Sequence, residues 1–161
     1  MTLAYIGLGS NLQKPEYQVC TAIEELGSIP GTSLLARSSL YRSKPVDGTS
    51  QPDYINAVVM VETGCSASQL LENMMRIESG HGRIRHSSRW QARTLDLDLL
   101  LYGREQINSA ELAVPHPEIP KRNFVLLPLA EISPGLAIPG MGTVEKLLAI
   151  TGTTDIQKLD V

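Results

Sequence analysis

The sequence predicts an α+β fold of the ferredoxin-like type, a βαββαβ core with an antiparallel sheet and additional C-terminal helices. Three observations lead there. Four apolar, strand-like runs and two stretches of helical period follow one another in the order β-α-β-β-α-β. No linker or internal repeat interrupts 161 residues, of which 42% are hydrophobic and 19% charged, so a single domain over residues 1–161 is expected. The fingerprints of the competing nucleotide-binding folds are missing. Gly7-Leu8-Gly9-Ser10-Asn11-Leu12 lacks the third glycine of a dinucleotide loop, and nothing fits GxxxxGK[ST].

Each element has its own signal. Leu3 to Gly9 is a short apolar run ending at Gly-Ser-Asn, suited to a buried strand and a turn. Pro15 is placed to open a helix, Val19, Ile23 and Leu26 repeat at helical spacing, and Gly27 supplies the stop. Residues 33–42 and 54–63 read as the next two strands, joined by a Pro/Gly/Ser-containing stretch too long for a tight hairpin. Ser66-Ala67-Ser68-Gln69 fits a capping box, and Leu70, Met74 and Ile77 mark the second helix behind it. Residues 94–101 alternate polar and apolar as a strand, followed by a turn at Gly103, a short strand near Ile107 and a Pro-rich segment. An apolar helix over 123–132 and a last helix over 144–150, capped by Thr143, complete the chain.

Composition removes several function classes. At this length roughly 70% of the unfolded surface is buried on folding, enough to hold one core without disulfides or structural zinc. Cys20 and Cys65 have no CxxC spacing and are expected to be free, half-buried thiols of a cytoplasmic protein. The N-terminus has no basic leader, and no run approaches the ~20 apolar residues of a bilayer span. A formal net charge of -3 argues against a surface given over to nucleic acid. There is no GxSxG and no HExxH.

Charge is nonetheless segregated. Arg83, Arg85, Arg89 and Arg93 crowd into eleven residues without an Asp or Glu, and Asp96 and Asp98 follow at once. The strand period sets Leu95, Leu97 and Leu99 on one face and both aspartates on the other, roughly 6.6 Å apart. That spacing suits two hard cations, whereas the plain structural alternative has both carboxylates facing solvent and pairing with arginines. An arginine loop opening onto two carboxylates matches a nucleoside polyphosphate with its magnesium. Aromatics are only 4% of the chain, which draws attention to Tyr54, Trp90 and Phe124, each by default a packing residue unless a planar substrate unites them. His116, between two prolines, is a candidate phosphate donor.

These motifs resemble one family, the 6-hydroxymethyl-7,8-dihydropterin pyrophosphokinases of folate biosynthesis. The resemblance runs through residues 4–12, Tyr41-Arg42-Ser43, Gln51 to Ala57, Ile77-Glu78, Gly82-Arg83, Arg89-Trp90, Arg93 to Asp98, Val114 to Pro117 and Arg122 to Leu129. It implies transfer of the pyrophosphoryl group of ATP to the pterin hydroxymethyl oxygen, with release of AMP. By resemblance, Asp96 and Asp98 bridge two Mg²⁺ ions and are catalytic together with Arg83 and Arg93. Ser43, Pro45, Val46, Tyr54, Asn56, Trp90 and Phe124 would form the pterin site. Glu78, Arg85, Trp90, Arg93, Leu99, His116 and Arg122 would contact ATP. Loops 10–14, 43–53 and 80–92 would be the moving parts, in a monomer that binds neither nucleic acid nor membrane. Gln91-Ala92 stands where Gly-Pro is frequent, and Glu111 and Ala113 stand where some members carry a basic residue and a hydroxyl. The alternatives are a ferredoxin-like RNA-binding module and a noncatalytic nucleotide-binding protein.

Overall fold

The computed structural model describes residues 1–45, 50–82 and 94–159. In chain order the elements are β1 (Thr2–Ser10), α1 (Pro15–Gly27), β2 (Thr32–Arg37), β3 (Tyr41–Ser43), β4 (Tyr54–Thr63), α2 (Ala67–Gly80) and β5 (Asp96–Tyr102). They continue with β6 (Ile107–Asn108), β7 (Ala113–Val114), a 3-10 turn (Ile119–Lys121), α3 (Asn123–Ile132), β8 (Ala137–Ile138), β9 (Gly142–Thr143), α4 (Val144–Thr151) and β10 (Ile156–Lys158).

The main sheet is antiparallel in the order β10-β3-β4-β1-β5, with β2 pairing β4 beyond β3. This is the expected ferredoxin-like order with its second strand divided. The single strand expected over 33–42 is two because the chain bulges at Ser38. There the Ser38 hydroxyl takes the bond from Val58 N–H (2.9 Å), and the Ser38 N–H returns one to the Val58 carbonyl (2.9 Å). The strand expected over 94–101 runs two residues later at its start and one later at its end.

Two cores flank the sheet. Ala4, Ile6 and Leu8 of β1, Ile55, Ala57, Val59 and Val61 of β4, and Leu97 and Leu99 of β5 face α1 and α2. The opposite face holds Tyr5, Val58 and Leu100 against α3 and α4. A bulge carries β5 from one requirement to the other. Tyr5 pairs Leu101 while Ile6 pairs Leu99, so Leu100 and Leu101 both enter the second core and Tyr102 returns to the first.

The helix ends follow the sequence signals. Pro15 opens α1. Ser66 Oγ accepts from Gln69 N–H (3.1 Å) while Gln69 Oε1 accepts from Ser66 N–H (2.9 Å), completing the capping box of α2. Thr143 caps α4 through Lys146 N–H. Cys20 and Cys65 are free and half-buried.

Candidate active site

The site begins with two glycines in the middle of β1. Strand alternation turns Ile6 and Leu8 into the first core, so Gly7 and Gly9 lie on the other face. Gly9 pairs Asn56 on one side and Asp96 on the other, and Gly7 likewise sits between Val58 and Asp98. Gly7 is covered by the Leu100 side chain, whereas at the half-buried Gly9 the missing side chain leaves a trough roughly 10 Å across between β4 and β5. A Cβ added to Gly9 would stand 3.4 Å from Asn56 Oδ1 and 3.8 Å from Tyr54 Cδ1. The Asn56 carbonyl and the Tyr54 ring are therefore one wall of the trough.

Asn56 is held firmly. It is 4% exposed, and its amide donates to Ser43 Oγ (2.7 Å) and to the Tyr41 carbonyl (3.3 Å), which fixes Oδ1 toward Gly9. Tyr41 is anchored in turn, because its hydroxyl donates to Glu131 Oε1 of α3 (2.7 Å). Burial, with the bond to Glu131 and that carboxylate's charge, pushes the Tyr41 phenol well above its ordinary range. Burial alone would raise the Glu131 carboxyl. The hydrogen bonds from Ser39 Oγ, Tyr41 and Ser39 N–H, with Lys158 nearby, outweigh it and leave that carboxyl below its ordinary value.

The opposite wall carries Asp96 and Asp98, both half-exposed on one face of β5. Asp98 Oδ2 lies 3.4 Å from Arg122 Nη1, and Oδ1 lies 3.7 Å from His116 Nε2. His116 Nδ1 accepts from Glu118 N–H (3.2 Å), so in the neutral ring the proton is on Nε2, facing the carboxylate. The backbone N–H of His116 donates to the Leu100 carbonyl (2.9 Å), one residue after the cis Val114–Pro115 peptide. This docks the histidine on β5. The Arg122 guanidinium stands 5.7 Å from the centre of the Phe124 ring, joining the acidic pair to the aromatic at the start of α3.

Glu78 reaches β5 from the last turn of α2. It is 3% exposed, and its Oε2 accepts from Leu97 N–H (2.8 Å), between the two aspartates in sequence. The bond satisfies a donor on an edge strand and ties α2 to the stretch of β5 between the two aspartates. Beyond this edge lies a cleft of about 600 Å³ between α2 and the β6–β7 hairpin. Leu71 and Met75 line one side, Ile107 and Leu112 the other, and Asp96 and Asp98 close its end.

Several expected residues come together here: Ser43, Tyr54, Asn56 and Phe124 on the trough side, Asp96 and Asp98 on β5, and His116 and Arg122 against Asp98. Pro45 lies two residues after Ser43. Leu99 stands beside Asp98 on β5. Its side chain is 3% exposed in the first core, on the face opposite the aspartates, because the same alternation that exposes Asp98 buries its neighbour. Leu97 lines the cleft, and so does Glu111. Arg83, Arg85, Arg89, Trp90, Gln91, Ala92, Arg93 and Val46 lie outside the described residues. The cleft's apolar walls were missed in the sequence, although Leu71 and Met75 form a second i, i+4 stripe one residue out of phase with the core stripe of α2.

Among the described residues no three His, Cys, Asp or Glu side chains cluster as a self-sufficient metal site. Two carboxylates on one strand face, already drawing a guanidinium and an imidazole to within 4 Å, are nevertheless the donor set magnesium uses when phosphates complete its shell.

Comparison with known proteins agrees with this geometry. Residues 5–134 match the family model of 7,8-dihydro-6-hydroxymethylpterin-pyrophosphokinase (HPPK). The chain is 44% identical over 148 residues to the 2-amino-4-hydroxy-6-hydroxymethyldihydropteridine pyrophosphokinase of Haemophilus influenzae, covering 92% of each chain. It is 39% identical to the enzyme of that name from Methylorubrum extorquens, over 99% of this chain and 100% of the relative. Among solved structures, an HPPK-DHPS crystallised in complex with substrates superposes with a TM-score of 0.77 at 12% identity, over 99% of this chain and 47% of that one. The Plasmodium falciparum HPPK-DHPS with pterin and p-hydroxybenzoate gives 0.76 at 14% identity, over 99% and 45%. These two show the fold alone, and the present chain spans about half their length. The relatives and the family model establish that the chain belongs to the 7,8-dihydro-6-hydroxymethylpterin-pyrophosphokinase family.

Proposed function

We propose that the protein transfers the pyrophosphoryl group of ATP to the hydroxymethyl oxygen of 6-hydroxymethyl-7,8-dihydropterin, giving AMP and the pterin diphosphate, in folate biosynthesis. The observation that carries this reading is the position of Asp96 and Asp98, with a trough on one side and an apolar-walled cleft on the other. Two substrates arriving from opposite sides meet at that pair.

In this reading the pterin lies over Gly9, its polar edge against Asn56 and its ring between Tyr54 and Phe124. The nucleotide occupies the cleft, with its base among Leu71, Met75, Ile107 and Leu112 and its phosphates toward β5. The hydroxymethyl oxygen bonds to the β-phosphorus, the bond from that phosphorus to the α–β bridging oxygen breaks, and AMP leaves. Asp96 and Asp98 would hold two Mg²⁺ ions, which supply charge neutralisation at the phosphates and acidify the attacking hydroxyl. Arg122 and His116 stand beside the same point and donate to phosphate oxygens, and Arg83 and Arg93 complete that role with Arg85 and Trp90 at the nucleotide. Glu78 acts by holding Leu97, hence both carboxylates, in place. Closure of the loops 10–14, 43–53 and 80–92 excludes water from the transfer. Action as a cytoplasmic monomer, folded as one domain, belongs to the same proposal. No described helix is long and apolar enough to cross a membrane.

The RNA-binding alternative meets an obstacle on the sheet itself. The face open to a ligand carries Gly9 on its central strand and two carboxylates on the neighbouring strand where such modules carry stacking aromatics, and the carboxylates repel a phosphate backbone. The test is product analysis. With ATP, Mg²⁺ and 6-hydroxymethyl-7,8-dihydropterin, chromatography should show AMP and pterin diphosphate in equal amounts. ADP or inorganic phosphate in their place would contradict pyrophosphoryl transfer, and no turnover at all would leave a nucleotide-binding protein.

A further inference from the structure

Residues after 134 lie beyond the part of the chain that matches the family model, yet the last of them return to the trough. β10 adds to the free edge of β3, pairing Ile156 with Ser43, Gln157 with Arg42 and Lys158 with Tyr41. Leu159 N–H donates to the Leu40 carbonyl (2.9 Å), which extends the ladder. Ser43 and Tyr41 are the two residues that fix the Asn56 amide. Just before β10, the Thr154 carbonyl accepts from the Asn123 side-chain amide (3.0 Å). Asn123 is the first residue of α3 and Phe124 is the second.

One short segment therefore grips the Ser43–Asn56 wall through β10 and, through Asn123, the start of α3 that carries Phe124. Outer contacts reinforce it: Asp155 to Lys44 (3.6 Å), Lys158 to Glu131 (3.8 Å) and Thr151 Oγ1 to the Pro120 carbonyl (2.7 Å). Among the described residues, none of these bonds goes to α2 or to the β6–β7 hairpin that line the cleft. The chain turns between the two grips at Asp155, whose φ of +61° favours glycine over a branched side chain.

We propose that residues 153–159 are a positioning strap that sets the distance between the Asn56 wall and the Phe124 ring, with Asn123 and the Thr154–Asp155 turn as its positioning residues. The proposal rests on the pterin reading of the trough. A planar ring held between two walls tolerates little error in their spacing, so releasing either grip weakens the pterin and leaves the nucleotide untouched. The strap touches no reacting atom.

The test uses the full-length protein and measures calorimetric affinity for 6-hydroxymethylpterin with Mg²⁺ and α,β-methylene-ATP present, and for the nucleotide analogue alone. Asn123→Ala should lose about fivefold or more in pterin affinity, in line with the loss of one hydrogen bond, with nucleotide affinity unchanged. Asp155→Val, which strains the turn, should act in the same direction, whereas Asp155→Gly, which keeps the turn and drops only the exposed ion pair, should retain wild-type pterin affinity. In turnover, the loss should enter KM for the pterin and spare KM for ATP. Unchanged pterin affinity in folded Asn123→Ala and Asp155→Val, or an equal loss for both ligands, would overturn the strap. Wild-type protein that binds nucleotide and no pterin would overturn the pterin reading itself.

Discussion

At Gly9 the missing side chain is the feature. The Cβ of a larger residue there finds ordinary contact distances, 3.4 Å to Asn56 and 3.8 Å to Tyr54, so the strand accommodates it while the trough floor rises. Gly9→Val should fold, as judged by circular dichroism, bind the nucleotide analogue normally and lose pterin affinity at least tenfold, the change in affinity that ~1.4 kcal/mol produces. The acidic pair makes the complementary case. Asp96→Asn or Asp98→Asn should lower kcat by about 10²–10³, the range for removing one group that meets developing charge, with little change in melting temperature because both side chains are half-exposed. Near-normal kcat in either variant would remove the metal assignment. Asp96 and Asp98 were legible in the sequence because strand period alone puts them on one face. The approach of His116 and Arg122 to Asp98 was not, since the docking of residue 116 on β5 brings His116 there across 18 positions and Arg122 follows across 24. Leu99 follows the alternation stated for Leu95, Leu97 and Leu99, which buries its side chain.

Helices were read from the sequence almost to the residue, because proline, the capping box and a terminal threonine are local signals whose geometry needs no partner. Ser66→Ala should therefore cost about 1 kcal/mol, measured by urea unfolding, as for other N-cap removals. Strands were read less well where tertiary context intervenes. The Ser38 bulge and the extra residue at Leu100 arise from pairing across the sheet and leave no pattern in the segment itself. The short strand near Ile107 was legible and is β6, whereas its partner β7, the pair β8–β9 and β10 at the edge are of the same kind. Between elements, Glu131 ties α3 to the segment leading into β3, with a carboxyl held below its ordinary value of 4.5. A depressed carboxyl contributes stability that is present above its ordinary value and lost as pH falls through the folded one. Glu131→Gln should thus melt below wild type at pH 7, and the gap should close as the buffer is taken below about pH 4. A gap that widens on acidification would contradict the pairing.

Across the molecule, one sheet does two jobs by giving each face a different neighbour. Its first face is filled by α1 and α2. The second is filled by α3 and α4 over only part of its length, and the uncovered end, floored by glycine, is where β4, β1 and β5 deliver Asn56, Gly9 and Asp96 in line, with Ser43 of β3 bonded to Asn56 from one pair further along. The edge beyond β5 opens into the cleft. The fold class was legible from element order, but this division of the site into trough and cleft was not, because it depends on which end of which face the C-terminal helices leave bare. The central claim is that Asp96 and Asp98 are the meeting point of two separate subsites. A crystal structure with Mn²⁺, α,β-methylene-ATP and 6-hydroxymethylpterin tests it most directly, since manganese is located by its anomalous signal. The account predicts manganese on Asp96 and Asp98, the adenine beside Leu71 and Met75, and the pterin over Gly9. Manganese elsewhere, or a pterin lodged in the α2 cleft, would contradict it.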